Sequence, residues 1–525
     1  MYGDQNRLGW LKIVDVMRER ADDIVAFADE VKAAGFTHAV LMGMGGSSLC
    51  PEVSRLTFGV EPGCPDLVVL DSTVPATVLE FERYINLPKT LFIVSTKSGT
   101  TVETLSAYRY FFEKVAAKKG ENAGENFVAI TDPGTPLEEL AREKNFRRLF
   151  LNFPDIGGRY SALSYFGLVP LAIIGGDIKR LLESAASMVD ACKPSIPFEQ
   201  NPGALLGTTM AEYAMQGRDK LMLVLPPEIA GFGAWIEQLV AESSGKDGVG
   251  IIPVDAEPLT VPAHYGDDRL FVYYRLKSSV HKGLDAQMKA LEESGQPVVS
   301  IEMNDIYDLG QEYFRWEFAT AAACALLGVN AFDEPNVKES KDNTDRLLAE
   351  FKANGKLPEA QPVLNEKGIR LYCNEPVLNE QSLVSYLSAY LNRCRPGDYF
   401  GLMAFVFPSP TVNSIFLCMR AQLRDAFGAA TTLGYGPRFL HSTGQLHKGG
   451  PNTGIFIQFT ADDPVDMSIP GEPYSFGVLK QAQAMGDEAA LLGKGCPLIR
   501  LHLGSDLHGN LSKVLDIVRE ACSRK

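Results

Sequence analysis

Five short apolar runs in the first third of the chain, residues 39–42, 67–70, 91–94, 127–130 and 149–151, alternate with stretches of helical periodicity. Strands spaced by helices cannot pair as hairpins, so crossovers join them into a parallel sheet with helices on its faces. Ligands of such sheets bind beyond the carboxyl ends of the strands. Two of these ends carry unusual chemistry. Residues 91–104, LFIVSTKSGTTVET, run from a buried-strand pattern into Ser95, Thr96, Lys97, Ser98, Gly99, Thr100 and Thr101, after which residues 102–112 can continue as a helix. First-turn N–H groups lack intrahelical partners and the helix dipole favours an anion, so this junction suits a phosphate. Gly99 lets the backbone approach a ligand closely. The other junction, AVLMGMGGSSL at residues 39–49, opens on Gly43, Gly45 and Gly46 and presents Ser47 and Ser48. The first turn alone is explained equally well by plain helix capping. Two such turns favour a phosphate site.

A chain of 525 residues holds two to four domains. Its net charge of −15 argues against a nucleic-acid partner or an anionic membrane surface, so an anionic small ligand needs a local positive pocket. Lys97, Arg159 and helix N-termini can supply one. Nine cysteines without paired spacing imply reduced thiols and a cytoplasmic location. Residues 162–175 are apolar but short, and Ser164, Tyr165 and Pro170 mark them as a buried helix rather than a membrane span. The N-terminal segment to Ala34 reads as a helix, with Leu11, Val14, Met17, Ile24, Phe27 and Val31 at helical spacing.

A second strand series begins at residue 220 with KLMLVLP, followed by GIIPV, LFVYYRL and PVVSIEM; a third begins at residue 400 with FGLMAFVF, followed by GIFIQF and PLIRLHL. Their order matches, and the helix with Gln422 and Leu423 corresponds to the one with Gln238 and Leu239. This reads as an internal duplication, with Ala426 at the place of Glu242. The expected divisions are 1–195, 196–345, a linker at 346–395, and 396–525.

Five motifs in order, GMGGSSL, STKSGTTVET, GGRYSALS from Gly157, ESSGK from Glu242 and GVNAFDEPNVKESK from Gly328, resemble those of the glucose-6-phosphate isomerase family. The likeness covers about the first 345 residues, and the rest is similar to the isomerase half of transaldolase–isomerase fusions. It implies an α/β fold of SIS-type three-layer sandwiches with parallel sheets: two SIS domains plus a C-terminal SIS-like repeat. It also implies interconversion of glucose 6-phosphate and fructose 6-phosphate through a cis-enediolate, with no cofactor and no metal.

On that resemblance Glu242 is the base, with Gln238 one turn earlier on the same face. An ion pair with Lys246 is the alternative. Arg159 is the oxyanion group, or else a structural partner of Asp155. Thr96, Ser98 and Thr101 anchor the phosphate with Gly45, Gly46, Ser47, Lys97 and Gly99, although the family pattern S-K-T-x-T-T is T-K-S-G-T-T here and one or two hydroxyls are expected to cap the helix. Glu103 stands near the site or on an exposed helix face. Lys341 closes the F-D-x-P motif and assists ring opening, unless KESKD at 338–342 is only a solvated charge run; Lys338 replaces the family's usual Glu. The family's histidine motif is displaced to HSTGQLHKGGPNTG from His441. His447 is the first choice for ring opening and His441 the second, with His264 and His281 in the wrong setting. Rival readings are a mannose or amino sugar phosphate isomerase and a non-catalytic sugar-phosphate sensor. The resemblance leaves a monomer or homodimer open, with the histidine either borrowed from a neighbour or supplied by the third unit.

Overall fold

The computed structural model describes residues 7–373 and 381–524. The first sheet contains β1 (His38–Met42), β2 (Asp66–Leu70), β3 (Thr90–Ser95), β4 (Phe127–Thr131) and β5 (Arg148–Leu151), all parallel, in the order β2-β1-β3-β4-β5. Successive side chains of a strand point to opposite faces, and here both faces are buried. Ala39, Leu41, Leu91 and Ile93 enter one core, whereas Val40, Met42, Phe92 and Val94 enter the other. Each large apolar side chain buried this way contributes about 1.5–3 kcal/mol. The helix Ile13–Ala33 lays Val14, Met17, Ile24, Phe27 and Val31 into the first core. The helix Tyr165–Ile173 is buried at every residue. After β1 the chain moves to β2 on one side and then returns to β3 on the other. The crevice between the β1 and β3 ends is therefore the switch point where ligands bind, and both hydroxyl turns open there.

The second sheet joins β6 (Lys220–Val224), β7 (Ile252–Val254), β8 (Arg269–Leu276) and β9 (Val298–Met303) in the order β7-β6-β8-β9. The third contains β10 (Leu364–Glu366), β11 (Ile369–Tyr372), β12 (Tyr399–Phe405), β13 (Ala430–Tyr435), β14 (Gly454–Thr460) and β15 (Leu498–His502). Its order is β10-β11-β15-β14-β12-β13, so β13-β12-β14-β15 repeats the second sheet strand for strand. The expected linker contains more than a connection. It holds the end of the helix Val337–Asn354, the antiparallel hairpin β10–β11 added to the sheet edge, and the helix Leu383–Leu391. Residues 374–380 of that linker, and residues 1–6 and Lys525 of the expected divisions, lie outside the described residues.

The third unit packs on both others. Met222, Val254 and Phe271 share a core with Met403, Phe405 and Phe456, and Leu479 and Ala482 join the core that holds Val40 and Phe92. Arg438 grips Asp71 with two hydrogen bonds of 2.6 and 2.9 Å. Among the described residues no helix is long and apolar enough to cross a membrane.

Candidate active site

The β1 and β3 turns open onto a cavity of ≈ 460 Å³ lined by Gly45, Gly46, Ser47, Thr96, Lys97, Ser98, Thr101, Arg159, Gln238, Glu242, Lys341 and His441. Two crevices elsewhere reach ≈ 560 Å³, so size does not select the site; convergent chemistry does.

The glycines of the first turn are there for close backbone packing. Gly45 has φ +54, and a Cβ on it would stand 2.7 Å from the His441 carbonyl oxygen; one on Gly46 would stand 2.0 Å from that of Gly158. At the β3 turn, Thr101 is the N-cap of the helix Val102–Lys119, yet no side chain caps that helix. The expected capping hydroxyls instead bond one another. Thr96 and Thr101 lie 2.7 Å apart, and Ser98 Oγ accepts from Thr100 N and Thr100 Oγ1. Thr101, at the N-terminus of that helix, lines the cavity, and its side chain makes no capping hydrogen bond. Lys97 is paired with Asp132 and donates to the Pro154 carbonyl at 3.2 Å. Burial raises the Asp132 pKa against the pull of Lys97. Gly99 departs from expectation: it does not line the cavity, and with φ +68 its Cβ position falls 2.8 Å from Thr135 Cβ. Its close approach is to the neighbouring turn.

Glu242 lies on the helix Phe232–Ser244. Gln238, one turn earlier, donates to its Oε2 at 3.0 Å, while Arg159 Nη1 meets its Oε1 at 2.9 Å. Burial raises the Glu242 pKa; Arg159 opposes the shift and Glu334 adds to it. Gln238 also donates to the His441 carbonyl at 2.9 Å, and its buried Oε1 has no partner. Lys246 is bound instead to Asp333, at 2.8 Å. Arg159 is buried, and all three of its nitrogens are engaged: Nε with Ser243, Nη1 with Glu242 and Glu334, Nη2 with the Ala331 and Asp333 carbonyls. Asp155 is not among these partners. Glu334 at 3.1 Å is a half-exposed acceptor.

Lys341 reaches the cavity from the helix Val337–Asn354, while Lys338 pairs outward with Asp342 at 3.1 Å. Glu103 is buried, and its Oε1 accepts from His441 Nε2 at 2.8 Å and from Gln483 Nε2 at 2.7 Å. Burial pushes its pKa up, but His441, a backbone hydrogen bond and Lys341 together pull it further the other way, and the net direction is down.

The two histidine candidates exchange places. His441 ends a 3₁₀ turn, Arg438–His441, and lines the cavity. His447 lies on the short helix Gly444–Gly449, with its ring 4.9 Å from Phe456 and 6.1 Å from Phe439, outside the cavity lining. Burial, aided by Lys448, lowers its pKa to about 3, so it is neutral across ordinary pH. His264 is bound to Thr260 and Asp425, and His281 to Glu228 and Ser279, both away from the cavity. Gln445, between the two candidates, donates to the Gly245 carbonyl at 2.8 Å and to Asn336 at 2.7 Å, and so ties the third unit to the end of the Glu242 helix. The sequence reading also missed Asp132, Thr135 and Glu334 as lining residues. The position of Asp132 at the β4 end, and of Glu334 within FDEP, were the available signals.

A family model described as phosphoglucose isomerase matches residues 11–283, more than half of the chain. The chain belongs to the phosphoglucose isomerase family. That match contains both hydroxyl turns, Arg159 and Glu242, and ends before Lys341 and His441. Among similar proteins of the phosphoglucose isomerase type, the probable glucose-6-phosphate isomerase of Methanococcus maripaludis is 28% identical over 385 residues, covering 66% of this chain and 86% of its own. The glucose-6-phosphate isomerase of Rubrobacter xylanophilus is 29% identical over 372 residues, covering 62% and 85%. Of solved structures, a hypothetical protein from Thermus thermophilus aligns with a TM-score of 0.60 at 26% identity, over 66% of this chain and 92% of its own. A glucose-6-phosphate isomerase from Chlamydia trachomatis aligns with a TM-score of 0.54 at 22% identity, over 64% and 74%, a likeness of fold.

Proposed function

We propose that this chain interconverts glucose 6-phosphate and fructose 6-phosphate, with Glu242 as the base that carries the proton between C2 and C1. The observation that supports this most is the setting of Glu242, a buried carboxylate held by Gln238 and Arg159 across one cavity from the hydroxyl turns. A raised pKa brings a carboxylate closer to the range where proton transfer is efficient. The phosphate is bound by Ser47, Thr96, Ser98, Thr101 and the uncapped first-turn N–H groups. His441, oriented by Glu103 and beside Lys341, moves the proton that opens the ring. Glu242 then removes the C2 proton of the open aldose. The electrons of that bond form the C1–C2 double bond as the C1 carbonyl oxygen takes the negative charge. Arg159 faces the enediolate as a fixed positive charge. Its contact to half-exposed Glu334 is the one a substrate oxygen replaces. The C2 hydroxyl proton passes to the C1 oxygen, and return of the carbon-bound proton from Glu242 to C1, with the C2 oxygen becoming the carbonyl, completes the ketose. Every one of these groups comes from one chain, so a single copy carries a complete site.

The test is Glu242→Gln, which keeps shape and removes the basic site. In an assay coupled to glucose 6-phosphate formation, turnover should fall by about 10² to 10⁴ with sugar-phosphate affinity retained. Turnover within tenfold of wild type, below that expected loss, would rule Glu242 out.

A further inference from the structure

Gln483 lies on the helix Phe476–Gly493 of the third unit, buried and far from the motifs of the first two. Its amide is used at both ends. Oε1 accepts from Thr73 Oγ1 at 2.8 Å, and Nε2 donates to Glu103 Oε1 at 2.7 Å, the same oxygen that His441 Nε2 meets at 2.8 Å. The Thr73 hydroxyl can donate or accept, whereas an ionised Glu103 can only accept, so the carboxylate fixes which end of the amide faces it and Thr73 donates to the other end. We propose that Gln483 is a positioning residue: its N–H keeps Glu103 an acceptor and so holds His441 in the tautomer that presents Nδ1 to the substrate. This deepens the reading of His441 as the ring-opening group and rests on it.

A carboxylate accepting from two N–H groups is stabilised in its charged form. An ionised Glu103 can only accept, which places the imidazole proton on Nε2 and leaves Nδ1 with a lone pair. A protonated Glu103 can donate instead and leave His441 either way round. The charged groups that bear on Glu103 are His441 from the 3₁₀ turn, Lys341 from the helix Val337–Asn354, and Asp345 from that same helix. Neutral Gln483 supplies a donor without adding a charge to this group. A Lys there would add a charge, and a Glu would place a second carboxyl against the first.

Two variants of the full chain separate orientation from packing. Gln483→Leu keeps volume and removes the donor. Its kcat on glucose 6-phosphate should fall about ten- to a hundredfold, the range for one hydrogen bond to a charged group, with KM little changed and the acid limb of the pH profile displaced upward, because Glu103 takes up its proton at higher pH. Gln483→Glu should be impaired at alkaline pH and recover on acidification, since the introduced carboxyl, once protonated, both donates to Glu103 and accepts from Thr73 as the amide does. An unchanged kcat and acid limb in folded Gln483→Leu would overturn the proposal, as would a loss in Gln483→Glu that is the same at every pH. If His441 is not the ring-opening group, His441→Ala itself retains turnover, which distinguishes failure of that reading from failure of this one.

Discussion

Replacing His441 by Ala is the sharpest test of how the third unit serves the site. The change removes one of the two N–H donors on Glu103 Oε1, at 2.8 and 2.7 Å. A hydrogen bond to a charged group contributes about 1.5–3 kcal/mol, and loss of a positioned acid–base group costs about 10² to 10⁴ in rate. If ring opening depends on His441, kcat for cyclic glucose 6-phosphate should fall within that latter range, while an open-chain analogue loses far less. The coupled assay reads both. A mixing experiment adds the geometry. His441→Ala and Glu242→Gln disable the same pocket from the same chain, so equimolar mixing of the two inactive proteins should restore nothing. Activity on mixing would refute completion within one chain, and near-wild-type turnover of the cyclic substrate by His441→Ala would refute the role of the imidazole.

Ser98→Ala with Thr101→Ala should weaken sugar-phosphate binding by about 1.5–3 kcal/mol per lost bond to the charged phosphate; calorimetric titration finding unchanged affinity in the folded double variant would remove the turn as the anchor. His447→Ala should cost about 2–4 kcal/mol in denaturant unfolding, because its ring fills space beside Phe456 and Phe439. Turnover per folded molecule should be unchanged; a selective loss of turnover would return His447 to the mechanism. Glu237 has its pKa raised from 4.5 to about 8, first by burial and then by Asp255, against Arg420 and Arg438. Folding therefore favours its protonated form, a contribution complete below pH 4.5 and lost as pH rises through about 8. Glu237→Gln should flatten the decline in stability between those limits by on the order of a few kcal/mol, and parallel stability–pH curves for variant and wild type would contradict the assignment.

The central strands were legible because burial on both faces makes them read as continuous apolar runs, as at β1 and β3. The hydroxyl turns were legible because helix N-termini follow them directly. β13 was not, because its Thr431 and Thr432 are polar; the Thr431 hydroxyl bonds Glu257, 174 residues away, and Arg420 on the preceding helix. The β10–β11 hairpin turns on Lys367 and Gly368, both at positive φ; only Gly368 is a turn signal in the sequence, because a Lys there lacks the Asn or Asp that usually marks such a two-residue turn. The placement of the two histidines was hidden for a different reason. Spacing after Gln445 favoured His447, whereas it is His441 that lines the cavity, bonded to Glu103, 338 residues away along the chain. Gln483 had no motif at all, since its role exists only once the third unit packs against the first.

The repeated strand order of the second and third sheets also bears on how the site could diverge. In an isologous pair every substitution occurs on both sides of the contact, so a residue useful in one pocket must be tolerated in its twin. Where the two sides are successive stretches of a single gene, each varies alone. One stretch carries the carboxylate of Glu242, and the corresponding place in the other holds Ala426. A two-sided constraint becomes two one-sided ones, and selection can refine one crevice while its counterpart drifts toward an exclusively supporting part.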